Sequence, residues 1–367
     1  MKIHFVTRQD PALWADIASL ATAAATGAIT AATAERFRGG RNSWIAQTYV
    51  RLRQPLAELG IEAEFGHRFI PGGLCIAHRD DLNDFLSGAH RSFLVGVRAD
   101  RPPLLGSQLE IVQNDLQPDN ERRAYLPLWS QPGLLPRAAA RGGVIRRIGY
   151  LGRASSAPAW FYCPQWRGEL ARRGIDFVIR DSGWHDYRDL DLVLAVREEA
   201  PTMLAHKPAT KLYNAWRAGV PALLGPEPAF LRLYGSDLDF RRVQTPAEVL
   251  AVVDTLRAEP ARYQAMAEHG RQRGTAFADT ALTGHWLSFL QQRALPAYRQ
   301  WQAAGGGGWP AYAVRLWQQK RLAHDFRRRV ARELHGMGHA APLAAACNEQ
   351  LGHGPACPEG IGNGACS

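Results

Sequence analysis

Lys207–Phe230 reads KPATKLYNAWRAGVPALLGPEPAF, and its chemistry is that of a helix, a tight stop, a short strand and a turn. Pro208 suits the first helical position, where a missing N–H costs nothing. Gly219 suits the stop, where a left-handed residue is wanted. Val220–Leu224 is a short apolar run fit for a buried parallel strand, and Gly225-Pro226 breaks the chain where such a strand delivers it to a cleft. On this reading Lys207, Lys211 and Asn214, four and three residues apart, share one helical face. Two cations at a helix N-terminus oppose its dipole and call for an anion, and a pyrophosphate has the right charge.

Working outward, short apolar runs alternate with helical patterns on both sides. The strands expected before this stretch are Ile3–Val6, Ile61–Phe65, Leu74–Ala77, Phe93–Val97 and Leu109–Gln113, with a helix over Ser43–Leu59. A second alternation starts near Val144, with strands Ile145–Leu151, Asp176–Ile179, Asp191–Val196, Val220–Leu224 and Phe240–Val243. Thr245-Pro246-Ala247-Glu248 is a capping-box start. Strand–helix alternation predicts parallel sheets covered on both faces. Two alternations joined by a Pro/Gly-rich stretch over 131–143 predict an α/β protein of two doubly wound Rossmann-like domains facing a cleft. The expected division is 1–140, 141–295, a basic aromatic helical extension over 296–333, and a disordered tail over 334–367. No GxGxxG follows the first strand, which argues against an ordinary dinucleotide oxidoreductase.

The 367 residues suit about two domains, and 46% hydrophobic content supports real cores. The formal net charge is +10, so an anionic partner is expected. Residues 311–333 hold seven Lys or Arg against two acids, so half of the excess sits in the extension. A nucleic-acid groove along the body is therefore disfavoured. The extension has three open readings: a solvated helix, a contact with anionic lipid through its tryptophans and cations, or a partner-docking helix. The start MKIHFV reads as a first strand, and Ile17–Ala34 is too rich in Ala, Thr and Gly for a spanning helix, which gives a cytoplasmic expectation with peripheral contact at the inner membrane face through 309–333. The sparse spread of the five cysteines does not read as a disulfide framework. The tail's His335, His339, Cys347, His353, Cys357 and Cys366 match no compact zinc spacing.

With these residues in view, KLYNAWRAGVPALLGP resembles the donor-side motif of GT-B glycosyltransferases, of the group 1 and fucosyltransferase types. The strong similarity covers about twenty residues; the two-domain layout extends it weakly over Met1–Arg293. The resemblance implies sugar transfer from a nucleoside-diphosphate-sugar co-substrate to a saccharide, lipid-linked or protein acceptor, with no other cofactor and usually no metal. The second domain would hold the donor and the first the acceptor. Many such enzymes carry a Glu on this helix against the donor ribose; the corresponding position here is Asn214, and Glu227 offers a carboxylate from another direction. Asp189-Leu190-Asp191 matches a DxD metal motif as letters only.

Candidate donor-binding residues are Lys207, Thr210, Lys211, Asn214 and Glu227 from the opening stretch. Arg153 joins them after GYLG, Arg197 at the end of DLVLAV, and Trp184 and His185 in the loop after the second strand of that domain. A solvated helix face, an ordinary exposed Arg, a buried ion pair and a packed turn are the respective plain alternatives. Gly40, Arg41 and Asn42 precede a helix and face acceptor or phosphate, unless Asn42 is an N-cap. Arg98, with Asp100 and Arg101, contacts either substrate, or these residues pair among themselves. An inverting transfer needs a base for the acceptor hydroxyl; His78 and Asp80 are the candidates, with helix capping as the alternative for the Asp. A non-catalytic nucleotide- or carbohydrate-binding protein on the same scaffold is the second functional reading.

Overall fold

The computed structural model describes residues 1–25, 29–117 and 119–337. Among these, two parallel sheets carry the architecture. The first holds β1 (Lys2–Val6), β2 (Glu62–Gly66), β3 (Leu74–His78), β4 (Phe93–Val97), β5 (Leu109–Val112) and β6 (Arg123–Tyr125), in spatial order β2-β1-β3-β4-β5-β6. The second holds β7 (Arg147–Leu151), β8 (Asp176–Arg180), β9 (Leu192–Ala195), β10 (Ala222–Leu224) and β11 (Arg241–Arg242), in order β11-β10-β9-β7-β8. All their pairings are parallel. Each sheet grows in both directions from its own first strand, so the order reverses between β1 and β3 and again between β7 and β9. In such sheets a ligand crevice opens beyond the strand ends at that reversal.

The helices are α1 (Ile17–Ala25), α2 (Ala31–Ala34), α3 (Gln47–Glu58), α4 (Pro164–Arg172), α5 (Pro201–Leu204), α6 (Thr210–Ala218), α7 (Pro228–Leu231), α8 (Pro246–Ala258), α9 (Pro260–Gly274), α10 (Asp279–Phe289), α11 (Leu295–Ala303) and α12 (Trp309–Gly336). Both faces of both sheets are covered, which is why strands such as β3, β4, β5 and β9 are buried along their whole length. The first sheet packs one face on α1, α3, α10 and α11 through Trp44, Tyr49, Trp286 and Tyr298. Its other face packs on α12 through Leu94, Leu104, Tyr312 and Leu316. The second sheet packs on α4, α8 and α9 on one side and on α6 and α7 on the other.

Two doubly wound α/β domains meeting at their strand ends is the GT-B arrangement implied by the motif. The expected strands are present, most with ends shifted by one or two residues. β6 adds one more, a three-residue pairing flanked by arginine. Gly219 adopts φ 66° and ends α6, as a left-handed stop requires. The Thr245–Glu248 capping box opens α8. The helix after Pro208 starts later than expected: α6 begins at Thr210 with Ala209 as N-cap. Lys207 therefore lies outside the helix and does not share its face with Lys211 and Asn214.

The chain also returns to its beginning. Leu282–Tyr298, in the stretch expected to close the second domain, is part of the first domain's core. The basic extension forms α12, and its buried Gln319 ties it down. The Gln319 side chain accepts from the N–H of Leu105 (2.8 Å) and Gly106 (3.0 Å) and donates to Leu82 O (3.2 Å) and Asn83 Oδ1 (2.9 Å). At its far end Glu333 takes the Thr202 N–H (2.8 Å) and hydroxyl (2.6 Å), so α12 braces both domains. Residues 334–336 of the expected tail are helical; 338–367, with the remaining His and Cys of that segment, lie outside the described residues. No helix among the described residues is long and apolar enough to cross a membrane.

Candidate functional site

The carboxyl ends of the two sheets contact each other directly. Beyond β5, Gln113 Nε2 donates to His206 O (2.6 Å), and Asn114 Nδ2 donates to Ala205 O (2.8 Å) and Lys207 O (3.1 Å). Beyond β4, Arg98 Nη2 lies 2.7 Å from His206 Nε2, and Asp100 Oδ2 lies 3.3 Å from Lys207 Nζ. His206 Nδ1 lies 2.7 Å from Thr202 O. The ring proton therefore sits on Nδ1, and Nε2 accepts from Arg98. Burial first, then the Arg98 charge, pushes His206 down to about 4, so this imidazole is neutral at pH 7. Ala99, between Arg98 and Asp100, has φ 53°, a conformation alanine adopts at a cost of about 1 kcal/mol or more.

In the second domain the reversal point between β7 and β9 holds the strongest electrostatic anomaly. Lys211, on the first turn of α6, runs across the Tyr150 ring with Nζ 3.8 Å from its centroid. The stem is partly exposed, whereas Nζ is sealed from solvent and has no hydrogen-bond partner among the described residues. Gly152, just beyond β7, makes this seat: a Cβ there would lie 2.6 Å from Nζ. Burial, then the nearby Arg197 charge, holds Lys211 well below its ordinary 10.5. A buried ammonium without a counter-ion costs several kcal/mol.

The charges around Lys211 are arranged rather than neutralising. Arg197, beyond β9, bonds Glu227 Oε2, and the other carboxylate oxygen, Oε1, is buried and unpartnered. Burial raises Glu227 against the opposing pull of Arg197 and Lys211. Lys207 is held between Glu199 Oε2 (3.2 Å) and Asp100 Oδ2 (3.3 Å). Burial would raise Asp100, but Lys207 and Arg101 together outweigh it and its pKa is lowered. The cleft thus presents a buried cation, one unpartnered carboxylate oxygen and an exposed guanidinium: that of Arg153, after Gly152, has no side-chain partner among the described residues.

In the first domain Gly40 packs on His78 at the end of β3, so closely that a Cβ would lie 2.8 Å from Nε2. The Asp80 N–H donates to His78 Nδ1 (3.2 Å), which puts the ring proton on Nε2. That nitrogen is buried without a partner. Burial pushes His78 down to about 4, so it is neutral, with its lone pair taken up by a backbone amide. Asp80 Oδ2 is paired with Arg101 Nε at 3.0 Å. Arg41 Nε bonds the buried Asp81 at 2.9 Å, and Asn42 Nδ2 bonds Arg38 O at 3.1 Å. Neither expected base stands free over the cleft.

Other candidates take on structural tasks. Asn214 is buried and its Oδ1 accepts the Gln131 N–H at 3.0 Å, fixing the interdomain join to α6. Trp184 donates to Arg180 O at 2.9 Å and lies under Arg38. His185 Nδ1 sits 3.9 Å from Glu35, which also accepts the Gly183 N–H at 2.8 Å. The loop expected to meet a nucleobase is therefore joined to the first domain. Thr210 Oγ1 is 3.1 Å from Tyr213 OH, at the helix start. Asp191 is fully buried and takes Arg137, Arg141 and the N–H groups of Arg146 and Arg147, a hub at the opposite, amino end of the sheet. Among the described residues no cluster of three or more His, Cys, Asp or Glu is placed to hold a metal. Sequence reading missed His206 and Glu199; both sit beside quoted motifs, and only the topology brings them to the first domain's charges.

No protein-family model and no curated protein matches this chain. Among solved structures it is similar to sucrose-phosphate synthase from Thermosynechococcus elongatus (TM-score 0.48, 14% identity, covering 72% of this chain and 94% of that one). It is also similar to Anabaena HepE in complex with UDP and glucose (TM-score 0.47, 12% identity, covering 80% and 100%). A third likeness is to TarM (TM-score 0.42, 9% identity, covering 59% and 54%).

Proposed function

We propose that this protein is a glycosyltransferase that binds a nucleoside-diphosphate sugar at the second domain's reversal point and an acceptor against the first domain. One observation carries the reading: the Lys211 ammonium is buried and unpartnered under Gly152, beside Arg197 and Glu227. A diphosphate placed between the β7 end and the α6 N-terminus would supply the missing negative charge. Lys211 would then stabilise charge growing on the departing diphosphate, helped by Arg153 from the rim. Glu227, with one oxygen unbonded, is positioned to accept from a donor hydroxyl. The interdomain contacts at 205–207 would limit water around the anomeric carbon. No metal is assigned a role.

A second reading, a non-catalytic nucleotide- or carbohydrate-binding protein, is favoured by the state of His78 and Asp80, since neither is free to take a proton. The test is a thermal-shift panel of nucleoside diphosphates, followed by turnover of the matching labelled sugar donor. A ligand at about 100 times its Kd adds about 2.7 kcal/mol of stability. Binding with sugar release or transfer supports the enzyme, binding without turnover supports the second reading, and no shift with any diphosphate overturns the enzyme and leaves only the carbohydrate-binding form of the second reading.

A further inference from the structure

A second buried cation, this one without a paired carboxylate among the described residues, lies in the first domain. Arg79, just beyond β3, is 5% exposed, yet no carboxylate lies within salt-bridge distance of its guanidinium among the described residues. Its protein hydrogen bond is from Nε to Pro103 O, long at 3.4 Å. Asp80 supplies the opposing charge that Arg79 feels, and it is already paired with Arg101. Arg98, Arg101 and, from α12, Arg327 add positive potential around Arg79. Burial without a paired carboxylate should select against arginine here unless an anion completes the site. The planar fork of a guanidinium matches a carboxylate, phosphate or sulfate. The group follows the strand whose end holds His78 and Asp80, at the first domain's reversal point, where the ligand of such a sheet lies.

We propose that the acceptor is an anionic saccharide whose charged group is gripped by Arg79, with Arg101 and Arg327 at the rim of the same subsite. This deepens the glycosyltransferase reading by naming the acceptor class. Arg79 binds and orients; it takes no part in proton transfer. Arg327, exposed on α12, makes the brace helix one wall of the acceptor subsite.

The experiment titrates the full chain carrying Lys211→Met with glucose, glucuronate, glucose 6-phosphate and galactose 6-sulfate, read by calorimetry. Removing the donor-side cation keeps the probes from being read at the wrong site. At least one anionic probe is expected to bind about tenfold or more tighter than glucose, and which one does names the anion. Adding Arg79→Gln should abolish that preference. Arg327→Gln, on an exposed helix face where folding is not at issue, should weaken it about twofold to fivefold. Equal affinity for charged and neutral sugars overturns the proposal. So does a preference that survives Arg79→Gln or, should that variant fail to fold, one untouched by Arg327→Gln. Because the background lacks Lys211, these outcomes are independent of the nucleotide-binding test: either can fail alone.

Discussion

Replacing Lys211 by methionine separates stability from function at one atom. The side chain is nearly conserved in length, so packing over Tyr150 is retained while the ammonium is lost. In the ligand-free protein Nζ is sealed and unbonded, and replacing an unsatisfied buried polar group by an apolar one of the same shape removes a penalty of about 1–3 kcal/mol. Burial lowers the Lys211 pKa far below 10.5, so the unfolded chain binds more protons. Wild-type stability therefore climbs with pH through the window between the folded value and 10.5, and Lys211→Met removes that slope. Binding moves the opposite way. A charge-assisted contact to a diphosphate contributes about 1.5–3 kcal/mol, so nucleotide affinity should fall by about tenfold to a hundredfold. Urea titrations at pH 7 and pH 9, with and without the nucleoside diphosphate found in the panel, measure both. The expected pattern is a variant that is firmer when empty and unresponsive to ligand. A variant that is less stable than wild type, or one that still gains the full ligand-induced shift, refutes the argument that Lys211 awaits an anion.

Gly152→Ala should act on the same seat from the other side. Its Cβ would lie 2.6 Å from Nζ, so the lysine must move, and nucleotide affinity read by thermal shift should drop about tenfold; unchanged affinity would place the ligand elsewhere. Gln319→Leu strands the N–H groups of Leu105 and Gly106 and should cost about 2–4 kcal/mol in urea unfolding; a loss under about 1 kcal/mol would mean α12 is held by its apolar face alone. Acidification should destabilise the protein before its carboxylates titrate. His78 and His206 are both held near 4 by burial, so each is neutral when folded and takes up a proton when unfolded. Stability is then lost as pH falls from about 6.5 towards 4, by up to about 3 kcal/mol for each histidine. His206→Gln should flatten the slope between pH 6.5 and 5, and an unchanged slope would contradict a neutral His206.

The strands and the two-domain plan were legible because parallel, doubly covered strands must be apolar on both faces, and LVLA or FLVGV admits few alternatives. β6, Arg-Ala-Tyr, was not, since three residues beside charged neighbours carry no period. Nor does an amphipathic helix say which core it joins: α10 and α11 follow the second domain in sequence and pack on the first. Lys211, Arg197 and Glu227 were singled out from strand and helix ends, and the structure brings the charges of Arg197 and Glu227 to bear on Lys211. Asn214 and Trp184 were candidates of the same kind, and hydrogen bonds to Gln131 and Arg180 tie them into the fold. The orphan state of Lys211 and of Arg79 could not be read in sequence, because it is a property of what fails to approach them in space.

The return of α10, α11 and α12 to the first domain sets an order on the birth of the molecule. Residues 145–277 hold both cores of the second domain, which can close as soon as that segment leaves the ribosome. The first domain, begun earlier, must leave β3, β4 and β5 only partly covered until Trp286, Tyr298, Tyr312 and Leu316 have been synthesised. Its nascent sheet is thus exposed throughout translation of the second domain, and the part of the protein made first is the last to be finished.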